Sequence, residues 1–558
     1  MNSVWVALVG ISALLLGYFF YGRFIERRIA KPDDRIATPA HKLEDGLDYS
    51  PAKRIALFGH HFSSIAGAGP ILGPVAAAIA FGWAGCWIWI VLGGILIGAV
   101  HDYLALMIST RHKGRSLPDI SGEVLSPMSR YLFLAFVWIT LVLVIAVFGR
   151  TAASALTSTP QVVIPVLCLI PIAILFGLLE NKVKMNFWLA TLIALSLMVG
   201  ALVLGLFFPI SLPVGPGQAI LIWFTVLMIY SLFASVLPVW LLLRPRDYLS
   251  IYMLFACLVL GYAGLFASHA PISAPAYAGF KSATHGPIWP MLCITIACGA
   301  ISGFHSICAG GTTSKQLNKE SDAKPIGFGS MILESILAIL ALLAVTAGLY
   351  WKAPSGMEEF SFPYFMESGG GGWIAAFGTG YGRFLEALGI PLALGITLGI
   401  LTVQQFVITS LDTCTRLERY IGTEMVGKKF PILRNKWVIT LIPISVAYYL
   451  GFTSAYEWVW PLFGSANQLV AALTLLVISS WLASLKRTTL YTLIPCIFML
   501  CTTIGALLWQ IPTNLSQGNP QLSAIGVVLV GLACILVREA VKQARRMKSE
   551  KRTPVNSP

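Results

Sequence analysis

Apolar stretches of about twenty residues recur from one end of this chain to the other, and each is long enough to cross a hydrocarbon core roughly 30 Å thick. In lipid every backbone amide must find its partner inside the chain, so only helices or closed barrels span, and runs this long without alternation are helices. Composition agrees: 57% of the 558 residues are hydrophobic and 11% are charged, about half the charged share of an ordinary soluble domain. The chain reads as an all-α polytopic membrane protein.

Hydropathy and turn signals place about fifteen transmembrane helices, near 3–21, 56–81, 84–109, 131–156, 160–179, 187–208, 218–242, 249–268, 287–310, 325–349, 384–411, 437–455, 458–484, 490–510 and 522–538. The first lacks the basic n-region and small-residue cleavage site of a signal peptide and is read as a retained span. The ten cysteines are scattered, with no C-x-x-C and no metal-ligand spacing, so they are expected to be packing residues.

Charge tests this threading independently. Lys and Arg near short loops collect on the cytoplasmic side, and alternate loops hold all of the 38 basic residues except Arg150, Lys281, Lys352 and Arg383. A missing or extra span would scramble that sorting, so the N-terminus is expected outside and the C-terminus inside. The net charge of +14 is then orientation chemistry and attraction to anionic lipid. It is not a nucleic-acid footprint, because the basic residues are divided among many short loops.

The densest helix-breaking signal is Phe58-Gly-His-His-Phe-Ser-Ser-Ile-Ala-Gly-Ala-Gly-Pro70, followed by Gly73-Pro74. Gly and Pro at this density free peptide groups at membrane depth, and such breaks survive only where they line a cavity or are covered by protein. The structural alternative is a glycine face packed on a neighbouring helix. A second break is expected at Ser235-Val-Leu-Pro238, five spans later and running the opposite way, the relation of an inverted five-plus-five repeat with discontinuous helices. On that reading the chain divides into a peripheral first span (1–22), a cytoplasmic loop (23–55), a first repeat (56–208), a second repeat (218–411), peripheral helices (437–538) and a basic tail (539–558). The Gly369 to Gly372 run between aromatics in the outer segment 350–382 reads as a flap.

Polar residues inside apolar spans are costly unless they face a cavity or partner. His101 and Asp102 in the third span are therefore candidates for proton handling, together with His60 and His61; Glu334 raises the same question. The ninth span, Ile294 to Ser306, offers Ser302, His305 and Ser306; a histidine near a helix end is as readily a capping residue. Asp412 and Arg416 lie four apart and are expected to pair on one helix face.

These stretches resemble the carbon starvation protein A family of bacterial inner-membrane transporters. The likeness runs through Asp45 to Tyr49, Gly59 to Pro70, Gly98 to Asp102, Leu237 to Trp240, Arg246 to Tyr248, Ile294 to His305, Gly311 to Thr313, Asp412 to Arg416, Trp460 to Gly464 and Asn467-Gln468. Many members carry a longer region between the tenth and eleventh spans. The resemblance implies uptake of peptides, or of pyruvate with protons, during carbon starvation, and a five-plus-five repeat core like that of amino acid, polyamine and organocation transporters. It also implies a substrate carrying a carboxylate, which free amides near Gly67 to Gly69 would bind.

The expected site is then a substrate cluster of Ser63, Ser64, Gly67, Ala68, Gly69, Ser235, Ser302 and His305. Proton coupling falls to His60, His61, His101 and Asp102, and an inner gate to Arg244, Arg246 and Asp247. No cofactor or metal is expected. The competing readings are a channel, a nutrient sensor, for which the chain has no soluble signalling domain, and an intramembrane metalloenzyme built on His60, His61, His101 and His305, for which there is no H-E-x-x-H.

Overall fold

A computed structural model of the protein describes residues 1–558 apart from 46–47, 239, 283–284, 367–371, 427–429, 454–455 and 551–558. The flap residues Gly369 to Gly371 and the end of the basic tail fall outside the described residues. Among those described, thirteen helices are long and apolar enough to cross a membrane. A helix of 17 residues, Lys436–Phe452, spans about 26 Å at 1.5 Å per residue. A helix pair, Ile288–Thr295 and Gly303–Gly311, forms one interrupted crossing. With these two, the expected fifteen spans are all present.

The helices that cross or line the membrane are numbered in chain order. They begin with α1 (Ser3–Ala30), α2 (Arg54–Ile65), α3 (Gly69–Phe81) and α4 (Trp83–Arg111). Next come α5 (Pro127–Ser158), α6 (Val163–Asn181), α7 (Phe187–Phe207), α8 (Pro216–Val236) and α9 (Leu243–Ser268). The interrupted crossing is α10 (Ile288–Thr295) and α11 (Gly303–Gly311). The remainder are α12 (Gly329–Thr346), α13 (Gly372–Glu386), α14 (Leu392–Val426), α15 (Lys436–Phe452), α16 (Tyr456–Ser484), α17 (Leu490–Ser516) and α18 (Pro520–Glu550).

Helix starts follow local chemistry. Pro127 and Pro216 stand at first-turn positions, where a missing N–H costs nothing, and Asn186 and Asn435 accept from the amides two residues on.

Burial sorts the helices. The apolar windows of the α2–α3 crossing and of α16 are each 94% buried within the protein, against 28% for the last span. The glycine-rich crossing and α16 therefore share the centre and α18 faces lipid, so α16 is not one of the peripheral helices expected over 437–538. Around that centre α5 packs along α14, α3 against α12, and α8 against α15. Helices α6 and α7 close a smaller core against α9, built on Phe176, Met198 and Leu249.

One expectation is corrected. Ser235 to Pro238 does not interrupt a span: α8 ends at Val236 after 21 residues, and α9 starts a separate crossing at Leu243. The second true break lies in the ninth span, at 296–302, between α10 and α11. Ile296 at φ −93°, ψ 69° takes the backbone out of the helix there.

Candidate functional site: two facing helix breaks and a buried histidine–carboxylate chain

Helix α2 stops at Ile65, where Ala66 leaves the helical region at ψ 64° and the Gly67 amide turns back to Ile65 O at 2.8 Å. Helix α3 starts at Gly69 with Pro70 behind it and no side chain capping its first turn. Residues 66–69 are wholly buried. An uncapped, buried helix N-terminus leaves amides in want of an acceptor and presents positive dipole.

The second break presses against the first. A β-carbon added to Gly69 would run into Cys298 Sγ, and one added to Gly73 would stand 2.7 Å from Thr295 O, so both glycines are required by close approach of the two chains. Side chains serve more of the freed backbone here than at the first break, where Ser410 donates to Ser64 O at 3.3 Å. Asn467 Oδ1 accepts from the Phe304 amide at 2.9 Å, and its Nδ2 donates to Ser302 Oγ at 2.9 Å. Ser335 donates to Gly299 O at 3.0 Å, Trp89 to Ile296 O at 3.1 Å, and Gln468 to Cys293 O.

Beside the breaks runs a chain of four ionisable groups with fully buried side chains. Asp102 accepts from His101 Nδ1 at 2.7 Å and from His305 Nδ1 at 2.8 Å. A carboxylate only accepts, so both histidines carry hydrogen on Nδ1. His305 Nε2 then faces Glu334 Oε2 at 3.3 Å. His61 lies close by, bonded through Nδ1 to Thr313 Oγ1 at 2.8 Å.

Toward the end of the bundle that carries the basic loops, a second buried network forms. His60 Nδ1 meets Asp247 Oδ2 at 2.8 Å, and Ser63 donates to Asp247 O at 3.0 Å. Arg246 pairs with Asp412, and the Tyr230 hydroxyl, 2.6 Å from Arg246 Nη1, donates to the same Asp412 oxygen at 2.6 Å. The expected Asp412–Arg416 pair is not made: Arg416 turns to the carbonyls of Ala234 and Leu237 at the end of α8. Those orphaned carbonyls are the stronger claim on its guanidinium.

The structure thus gathers Ser64, Gly67, Ala68, Gly69, Ser302 and His305 around the two breaks, with His61, His101 and Asp102 alongside, while Ser63 bonds into the network below. Arg246, Asp247 and His60 form the layer below. Ser235 belongs to that lower layer, reaching Thr415 O at 3.4 Å. Arg244 stands outside it, 3.9 Å from Glu180 and partly exposed, on a cavity of about 690 Å³ that Lys53, Phe187 and Tyr248 help to line. Sequence reasoning gave no role to Gln404, whose amide nitrogen holds Ala152 O at 3.0 Å while its oxygen has no partner. Two adjacent glutamines inside an apolar span, Val403-Gln-Gln-Phe406, were the available signal.

Two discontinuous crossings that meet at mid-bundle around buried polar groups define a membrane transporter. The family model of carbon starvation protein CstA matches residues 2–360 and 364–506. The chain is 31% identical to a "Peptide transporter CstA" of Bacillus subtilis (strain 168), over 98% of each chain. It is equally identical to the "Pyruvate/proton symporter BtsT" of Escherichia coli (strain K12), over 94% of this chain and 83% of that one. The chain belongs to the carbon starvation protein CstA family. A solved transporter, MhsT in complex with L-phenylalanine, overlays at a TM-score of 0.49 and 14% identity, covering 88% of this chain and 99% of that one, a likeness too loose to carry residue detail.

Proposed function

We propose that this transporter carries a small carboxylate-bearing solute, a peptide or pyruvate, into the bacterial cell together with a proton, across the inner membrane with its N-terminus outside and its C-terminus in the cytoplasm. The observation that carries the reading is the buried, uncapped start of α3 at Gly69, lying against the second break. Pro70 has no N–H and the Ile71 and Leu72 amides already donate to Ala68 O, at 3.2 and 2.9 Å. A carboxylate there would therefore accept from the Ala68 and Gly69 amides and meet the helix dipole, with no arginine needed. The partner-free hydroxyl of Ser64 and oxygen of Gln404 supply further polar contacts. The names of the two relatives point to the same solutes.

Proton coupling follows from the chain His101–Asp102–His305–Glu334. A proton loaded on His305 or Glu334 neutralises or adds charge beside the solute site, so solute and proton favour each other. In the layer below, Arg246, Asp247, Asp412 and His60 act as the inner gate, and Arg244 marks its entrance. Neutralising Arg246 is expected to leave binding intact while holding the carrier in one orientation.

The repeat boundaries on this reading follow the two breaks, in place of the 56–208 and 218–411 division expected from the sequence. α2–α3 and α10–α11 each begin one half, antiparallel because seven spans separate their starts, and α6–α7 form an inserted pair. This division is supported by the packing of α5 on α14 and of α8 on α15, the third and fourth crossings of each half once the inserted pair is set aside.

The test is uptake of labelled pyruvate and of a labelled dipeptide into proteoliposomes under separately imposed proton and sodium gradients. Accumulation of one solute driven by the proton gradient alone is expected. Flux that ignores both gradients would make the protein a channel.

A further inference from the structure

Glu334 is a buried acid whose surroundings the networks above do not account for. Its side chain is fully buried, and neither carboxylate oxygen has a hydrogen-bond donor. An acid left so in an apolar interior needs a proton or a cation. His305 is close, yet its Nε2 stands 3.3 Å from Glu334 Oε2 in a geometry that makes no hydrogen bond; a direct charge-assisted bond would close to about 2.8 Å.

The third group is Cys298. One donor atom from each of Cys298, His305 and Glu334 lies within 4.8 Å of the other two, and all three residues are buried. They arrive from three elements: the second break, α11 and α12. Ligands of a tetrahedral zinc ion, with metal–nitrogen and metal–oxygen distances near 2.1 Å, sit about 3.4 Å apart across the metal. The His305–Glu334 separation of 3.3 Å is compatible with that edge.

The surroundings are those of a metal-ligating histidine. Asp102 accepts from His305 Nδ1 at 2.8 Å, which fixes the tautomer and turns a bare Nε2 toward Cys298 and Glu334, the arrangement that orients imidazole ligands in metal proteins. His101 in turn holds the other Asp102 oxygen. A thiolate, an imidazole and a carboxylate with a fourth position open suit an ion of borderline softness.

We propose that Cys298, His305 and Glu334 form a binding site for one divalent ion of the zinc class, and that the bound ion arrests transport. Arrest follows because the ion would tie the second break to α11 and α12 and occupy the atoms that otherwise hold the coupling proton. The binding claim stands on geometry alone; the arrest claim rests on the transport reading above.

The full chain, purified in detergent and stripped with chelator, is to be equilibrated with zinc alone or cobalt alone. Expected are one zinc per chain retained through gel filtration and a sulfur-to-cobalt charge-transfer band. Cys298→Ser should abolish the band and weaken zinc by about tenfold or more, while Glu334→Gln weakens zinc similarly and keeps the band. No retained zinc, or equal retention by Cys298→Ser and Glu334→Gln variants that elute as the wild type does, overturns the site. In proteoliposomes zinc should suppress solute uptake by the wild type at concentrations that leave Cys298→Ser active. Uptake unaffected in the zinc-loaded protein overturns arrest while leaving binding in place, and uptake without proton coupling sinks the transport reading without touching the metal result.

Discussion

The two helix breaks are built to opposite plans. At 296–302 the exposed peptide groups are stitched by Asn467, Ser335, Trp89 and Gln468, so that segment is a fixed scaffold holding His305 in line with Asp102. At 66–68 Ser410 reaches Ser64 O at the end of the first half-helix, but no side chain caps the restarted one. The contrast teaches that an interruption in a membrane helix is not in itself a binding site. What matters is which of its peptide groups the rest of the fold leaves unserved.

If the stitched break serves the ion and the open one the solute, substitutions should separate the two. The largest effect is expected from Asp102→Asn. It removes the charge shared by two buried histidines, a loss of about 3–5 kcal/mol in comparable buried pairs. Gradient-driven accumulation should fall by roughly 100-fold or more, with solute exchange across the membrane largely kept. Equal loss of both would assign Asp102 to binding and blur the contrast.

Next comes Gly69→Ala, whose methyl would strike Cys298. Overpacking of this kind costs about 1–3 kcal/mol, and here it falls at the proposed solute site, so half-saturation should rise about tenfold. Gly200→Ala, where nothing lies within 4 Å, is the control and should leave uptake unchanged. Equal half-saturation in both variants would refute the open-break assignment.

Asn467→Ala should act on the scaffold instead. The orphaned Phe304 amide and Ser302 cost about 1–2 kcal/mol, seen as a lower melting temperature in detergent with half-saturation little changed. A rise in half-saturation as large as that of Gly69→Ala would erase the distinction between the breaks. The smallest effect is expected from Arg244→Gln. Its partly exposed contact with Glu180 is long, at 3.9 Å, and pairs of this kind contribute about 0.2–1 kcal/mol, so uptake should move by no more than about twofold. Arg246→Gln, by contrast, strands Asp412 and should shift the inward and outward populations measured by cysteine labelling from either side.

Much of this was legible without coordinates. Long apolar runs dictate membrane helices because lipid offers the backbone no partners, and the glycines and prolines from Gly59 to Gly73 marked the central crossing before its depth was known. His60, His61, His101, Asp102, His305 and Glu334 declared themselves by polarity within apolar spans. Ser235 to Pro238 misled because a proline reads alike whether it ends one helix or breaks another. The break at 296–302 contains no proline at all.

The sequence by itself determined the solvent, the element type and the number of crossings, all of which depend on hydropathy and local backbone chemistry. Tertiary structure alone decided that Asp102 joins two histidines, that Arg246 takes Asp412 from Arg416, and that one break is stitched while the other stays open. Those outcomes depend on which side chains approach from helices far away along the chain, as Asn467 does for the Phe304 amide. No local pattern encodes that distance.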